Sequence, residues 1–351
     1  MAVRAGHGRR GRLAGVLASA FALALGFFAL LSHASSHGPS VISLIDLPHV
    51  GPTVSAPSAS VAAAAQPTTP ADGEFYLGVS SDPDTLAAYN QVSGVERDSI
   101  LGGYVLHGGQ LMSIVKHSKA MPGAIPLISW GVDLTHDAVL AGTDDAYIRA
   151  QAQALAAYGK PVFVRLDWEM NGDWYPQWDG TGVSPIVYVE SWRYIREYFW
   201  LEHAYNVSFV WCPNVGDPVG SAAYDWYPGD SYVDWVAVDA YPQSNLAGKG
   251  SLTGPDGLPA MAEQAAAHGK PLMLAEWAPS SPAPDVADPF DEVFRWAANY
   301  PGTVKALVYF NYGSSRVDHF LIDHPVGAAE YRSLIARNRD RIVGARIAPG
   351  G

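Results

Sequence analysis

The 351-residue chain has a single cysteine, Cys212, so no intramolecular disulfide can brace it and core burial must hold the fold. Beside Trp211, that cysteine reads as a small buried hydrophobe. Positive charge is also scarce: 22 Lys and Arg stand against 34 Asp and Glu, a formal net charge of −12. Such a surface repels phosphate backbones, which excludes nucleic acid as a partner. No Gly-rich phosphate turn follows the first strand-like run, where "GVSSDPDT" stands, and there is neither a P-loop nor a G-x-S-x-G elbow. His107, His117, His136, His203, His268, His319 and His324 lack the H-x-x-x-H spacing of a metal site, so no metal or other cofactor is expected. Charged residues amount to only 16%.

Aromatic residues are plentiful instead. The 11 Trp and 18 Tyr offer flat, amphipathic faces suited to neutral ligands such as sugars. The first residues, "MAVRAGHGRRGR", are basic and lead into the uncharged run "LAGVLASAFALALGFFALL". Residues 1–34 therefore read as an export signal, or as a membrane anchor if the leader stays uncut. Either way the remainder is expected outside the cytoplasm. Residues 35–73, rich in Pro, Ser and Ala, read as a linker that would tether an anchored domain. Residues 343–351 read as a frayed, disordered tail.

Residues 74–342 carry eight short runs rich in β-branched and aromatic residues: 74–81, 99–106, 125–131, 160–170, 207–214, 233–241, 271–278 and 304–311. Segments with helical spacing lie between or after them, among them 144–159, 188–204, 288–300 and 327–342. Alternating strand and helix at this count predicts an α/β fold of the (β/α)8 TIM barrel type. Several runs begin apolar and end polar or aromatic, at Glu169, Asn214, Tyr241, Glu276 and Asn311. Barrel active sites form at the C-terminal ends of strands, so these ends are where chemistry is expected.

Glu169 and Glu276 are the carboxylates best placed at such a mouth, with Asp239 and Asp167 behind them. Glycosidic cleavage needs one carboxyl group to protonate the leaving oxygen and another to attack the anomeric carbon or activate water. An isolated Glu is ordinarily solvent-exposed. Here both follow apolar strand cores and have Trp neighbours, Trp168 and Trp174 for one and Trp277 for the other, a setting that raises a carboxyl pKa. Trp174 can also stack on sugar rings, and the strand-end aromatics Trp130 and Trp277 are expected to line the same cleft. The period of two puts Arg165, Asp167 and Glu169 on one strand face, where Asp167 would raise and Arg165 lower the Glu169 pKa.

Taken together, "WEMNGDWYP", "VWCPN", "YPGDSYVDWVAVDAY", "LAEWA" and "VYFN" resemble glycoside hydrolase family 26, the β-mannanase-type enzymes of clan A. The resemblance spans about residues 74–335, with the motifs in the family's order. It implies a TIM barrel and retaining endo-hydrolysis of a β-linked polysaccharide. Glu169 would be the acid/base, Glu276 the nucleophile, Trp174 part of a sugar subsite, and Tyr241 a hydrogen-bond donor to the nucleophile. Trp168 stands where the family usually has His, and an indole can donate one hydrogen bond but cannot accept one or carry a proton. Tyr194 likewise stands in "SWRYI", where the family often shows His. Mannan, xylan and mixed-linkage β-glucan all remain open as substrates. So do two other readings: a glycan-binding protein without turnover, and a membrane-linked partner in exopolysaccharide assembly or trimming. A monomer is expected.

Overall fold

The structure, a computed structural model, describes residue 56 and residues 66–348 apart from 107, 133–134, 217–218, 243–251, 255, 282–283 and 315–316. The leader predicted over residues 1–34 lies outside the described residues. Among those that are described, no helix is long and apolar enough to cross a membrane.

The strands in chain order are β1 (Phe75–Ser80), β2 (Val95–Arg97), β3 (Ile100–Val105), β4 (Ile125–Trp130), β5 (Val162–Leu166), β6 (Val207–Trp211), β7 (Trp235–Ala240), β8 (Leu272–Trp277), β9 (Val304–Phe310), β10 (Ile342–Val343) and β11 (Arg346–Ile347). The sheet β1-β3-β4-β5-β6-β7-β8-β9 is parallel throughout and closes where β9 pairs with β1. Each of the eight runs predicted from sequence supplies one barrel strand. The helices are α1 (Pro83–Ser93), α2 (Met112–His117), α3 (His136–Leu140), α4 (Asp145–Tyr158), α5 (Pro185–Leu201), α6 (Leu258–Ala267), α7 (Asp288–Asn299) and α8 (Pro325–Arg337). Local chemistry fixes their ends. Ser184 caps α5 by accepting from the Val187 N–H, with Pro185 preset for the first turn, and α4 stops at Gly159 in the left-handed region.

Two cores follow from the closed sheet. Alternate residues point inward, and Ile100, Leu127, Phe163, Val210, Trp235, Ala237, Met273 and Val308 fill the barrel. The others point outward and pack under the helices, as Phe209 does against Trp192 and Phe199 of α5. Gly102 is required by the inner packing, since a Cβ there would lie 2.1 Å from Ser80 Oγ. The inner residues near the C-terminal strand ends turn polar, with Ser129, Arg165, Asp239 and Glu276 all buried.

Both domain boundaries differ from the sequence reading. The last residues of the predicted linker lie against the foot of the barrel. Gln66 Nε2 donates to the carbonyl of Val207 (3.3 Å), the Tyr76 hydroxyl to that of Thr68, and buried Lys305 Nζ to that of Ala71 (2.9 Å). At the other end, Ile342 and Val343 extend the sheet beside β1, and β11 pairs antiparallel with β2, so the predicted frayed tail is structured through Ala348. Backbone donors and acceptors left open at the edge of β2 explain why the tail pairs there.

Candidate active site

Past Leu166 the strand pattern breaks. Asp167 and Glu169 have φ of 42° and 56°, left-handed values that cost roughly 1–3 kcal/mol each for residues other than glycine. The ladder nevertheless continues, with the Asp167 N–H donating to Trp130 O (2.9 Å) and the Glu169 N–H to Cys212 O (2.7 Å). The broken alternation corrects the one-face expectation. Asp167 turns outward, where Oδ1 accepts from the Val132 N–H (2.8 Å) and Oδ2 lies 3.9 Å from His136 Nε2. Trp168 turns inward instead, buried over the mouth of the barrel.

Glu169 is buried and accepts two side-chain hydrogen bonds, from the Trp174 indole N–H (2.7 Å) and from the Asn214 amide. Burial, and then the charge of Glu276, push its carboxyl up to about 7, against the pull of those two donors and of Arg165. Trp174 remains partly exposed beside it.

Glu276 is surrounded differently. A register shift between β8 and β9 falls between Leu274 and Trp277, and this bulge lets both Ala275 and Glu276 face the barrel mouth. Three donors converge on the carboxylate: the Tyr104 hydroxyl (2.6 Å) and an Arg165 Nη2–H on Oε1, and the Tyr241 hydroxyl (2.6 Å) on Oε2. Burial first, and then the Glu276 charge, raise both phenols above their ordinary range, so they stay protonated donors.

Arg165 ties the floor together. It is fully buried, donates from Nη1 to both Asp239 oxygens (2.8 and 2.6 Å) and from Nε to Ser129 Oγ (3.0 Å), and lies against the rings of Trp168 (5.2 Å) and Tyr104 (5.8 Å). Burial works against its charge, but the Asp239 and Glu276 carboxylates more than offset this and hold it cationic. The Cys212 thiol donates to Asp239 (3.2 Å).

Glu169, Glu276, Arg165, Trp168, Trp174, Asn214 and Tyr241 thus meet at one end of the barrel. Trp130 and Trp277 do not. Trp130 packs outward on Tyr147 and Phe199, and Trp277 outward on Phe290, Tyr309 and Tyr331, so neither lines the cleft. Past the bulge alternation resumes, so Trp277, directly after mouth-facing Glu276, turns to the helix layer. Tyr194 is also remote, buried on α5 with its hydroxyl on Asp145 (2.7 Å). Sequence reading missed Tyr104. The signal was present, because Ile100, Gly102 and Tyr104 alternate along β3 and its last inward residue is polar.

Residues 135–311 match the glycosyl hydrolase family 26 pattern. The chain is 33% identical over 278 residues to endoglucanase H of Acetivibrio thermocellus, covering 74% of this chain and 30% of that protein. It is 26% identical over 227 residues to the β-1,3-xylanase TXYA of a Vibrio species, covering 60% and 40%. It is 31% identical over 160 residues to mannan endo-1,4-β-mannosidase A and B of Caldalkalibacillus mannanilyticus, covering 43% and 28%. The chain therefore spans well under half the length of these relatives. In fold it is similar to a β-mannanase of Bacteroides ovatus, with a TM-score of 0.56 at 16% identity over 75% of this chain and 88% of that one. With half of its length matching the family pattern, and the motifs standing on the barrel strands just described, the chain belongs to glycosyl hydrolase family 26.

Proposed function

We propose that the protein is a retaining endo-hydrolase of a β-linked polysaccharide, acting outside the cytoplasm. The observation that carries this reading is the contrast between two buried carboxyl groups at one barrel mouth. Glu169, raised to about 7, suits a group that must give up a proton and take one back, and Glu276, which accepts from three donors including a guanidinium, suits an oriented nucleophile. In the first step a Glu276 oxygen attacks the anomeric carbon while Glu169 gives its proton to the departing glycosidic oxygen. In the second, the Glu169 carboxylate takes a proton from water, the water oxygen attacks the anomeric carbon, and the bond to Glu276 breaks. Two displacements restore the original configuration.

Trp168 in place of the family's His argues for a substrate other than plain mannan. A histidine could accept a hydrogen bond from a sugar hydroxyl, whereas this indole is buried against Arg165, Tyr104, Tyr175 and Trp178. A β-glucan is the substrate class we favour, because among the relatives named the endoglucanase aligns with the largest share of the chain. Xylan and mannan are the alternatives.

The test is turnover on mannans, xylans and mixed-linkage glucans, with the product anomer followed by NMR. We expect a β-glucan to be cleaved with retention, and Glu169→Ala and Glu276→Ala each to lower kcat by about 10²–10⁴-fold or more. Activity that survives both substitutions would overturn the site assignment. Binding of the same glycans without release of sugar would make the protein a glycan-binding module instead.

A further inference from the structure

Asn171 does no chemistry in the scheme above, yet it is fully buried two residues beyond Glu169 and all its hydrogen bonds run to the neighbouring loop. Its Oδ1 accepts from the Asn214 N–H (2.9 Å), and its Nδ2 donates to the carbonyls of Asn214 (2.8 Å) and Gly216 (2.8 Å). The amide thus grips Asn214 by both backbone groups. Asn214 in turn aims its side-chain amide at Glu169. The Glu169 backbone is held from the same side, through its N–H on Cys212 O, and the Gly172 N–H closes a turn on the Glu169 carbonyl (2.9 Å).

We infer that Asn171 is a positioning residue for the acid/base, locking the loop after β6 so that the Asn214 amide stays on the Glu169 carboxyl. This deepens the hydrolase reading and rests on it for the role of Glu169. The link is specific because it runs through one side chain. Without Asn171, two carbonyls and one N–H of the half-buried loop residues Asn214 and Gly216 lose the partner that a fully buried side chain supplies, and the loop shifts as they find others. A hydrogen bond donated to a carboxylate favours its charged form, so its loss leaves Glu169 holding its proton to higher pH. The other charged or titratable groups acting with Glu169 are Glu276, Arg165, Asp239, Tyr175 and Tyr241, whereas the Asn171 amide is hydrogen-bonded to Asn214 and Gly216.

The test follows the ionisation of Glu169 directly. The Trp174 indole N–H donates to this carboxyl, so its ¹H–¹⁵N resonance, assigned by its absence in Trp174→Phe, should titrate with it. In Asn171→Ala we expect the midpoint to rise by about 0.5–1 pH unit, the basic limb of kcat/KM to move with it, and kcat to fall roughly tenfold. In an Asn214→Ala background the same substitution should add no further shift, since the path it acts through is already cut. Asn171→Ser, which keeps a hydrogen-bonding group in that space, replaces the alanine variant if the latter does not fold. An unchanged midpoint in a folded Asn171 variant overturns the inference, as does a shift that adds in full to that of Asn214→Ala. A wild type that titrates as expected but cleaves no β-glycan would refute the proposed function while leaving this coupling intact.

Discussion

Three donors converge on the Glu276 carboxylate, and each comes from a different strand or strand end. Hydrogen bonds to charged groups contribute about 1.5–3 kcal/mol each. Tyr104→Phe, which removes one donor and keeps the ring between Trp168 and Tyr312, should therefore lower kcat/KM by about 10–100-fold with little change in melting temperature. Steady-state kinetics on the best substrate would check this, and wild-type kcat/KM in the variant would remove Tyr104 from the machinery. Both Glu were legible in the sequence because a polar residue ending an apolar strand is a strong signal. Tyr104 was legible only as the last inward position of its strand; that it faces Glu276 was not, because the barrel must close to bring β3 opposite β8. Trp130 and Trp277 show the converse: aromatic, at strand ends, and on the wrong face.

At the scale of elements, the segment after β5 does more than connect. Its two left-handed residues swing Asp167 outward, Trp168 inward and Glu169 over the mouth, a sequence of directions no regular strand provides. Gly172 then lets Trp174 fold back on Glu169, since a Cβ at Gly172 would stand 2.6 Å from the indole ring. Gly172→Ala should push Trp174 off the carboxylate and cut kcat by about tenfold, the order expected when one charge-assisted hydrogen bond is lost. A crystal structure of the variant with the indole still 2.7 Å from Glu169 would count against this. The bulge in β8 plays the matching part for Glu276. Period-two reasoning works while strands stay regular, and it failed at Asp167 because backbone strain and bulges leave no reliable mark in sequence.

Over the whole molecule, stability should depend on pH through two buried histidines, His136 beside Asp167 and His319 against the ring of Tyr241. Burial lowers both His136 and His319 to about 4, from an ordinary value of 6.5. Their folded-state pKa is depressed, so the stability they contribute is complete above pH 6.5 and is lost as pH falls toward 4. Each accounts for on the order of 3 kcal/mol across that window. Glu169 runs the other way, its raised pKa giving stability that is present below about 4.5 and lost as pH rises through about 7. Thermal melts should show Tm falling by about 5–10 °C between pH 7 and pH 4, with His136→Leu removing a good part of the drop. An unchanged drop in that variant would sink the assignment to His136. The sequence by itself determined the barrel, because eight apolar runs alternating with helical segments have few other ways to bury their hydrophobic faces. It also singled out the two carboxyl groups, because each glutamate closes an apolar strand run. Only the tertiary structure decided which neighbours serve them. Barrel closure and local backbone strain set the facing of Tyr104, Arg165, Asn214 and Trp168, and those are relations between strands far apart in the chain.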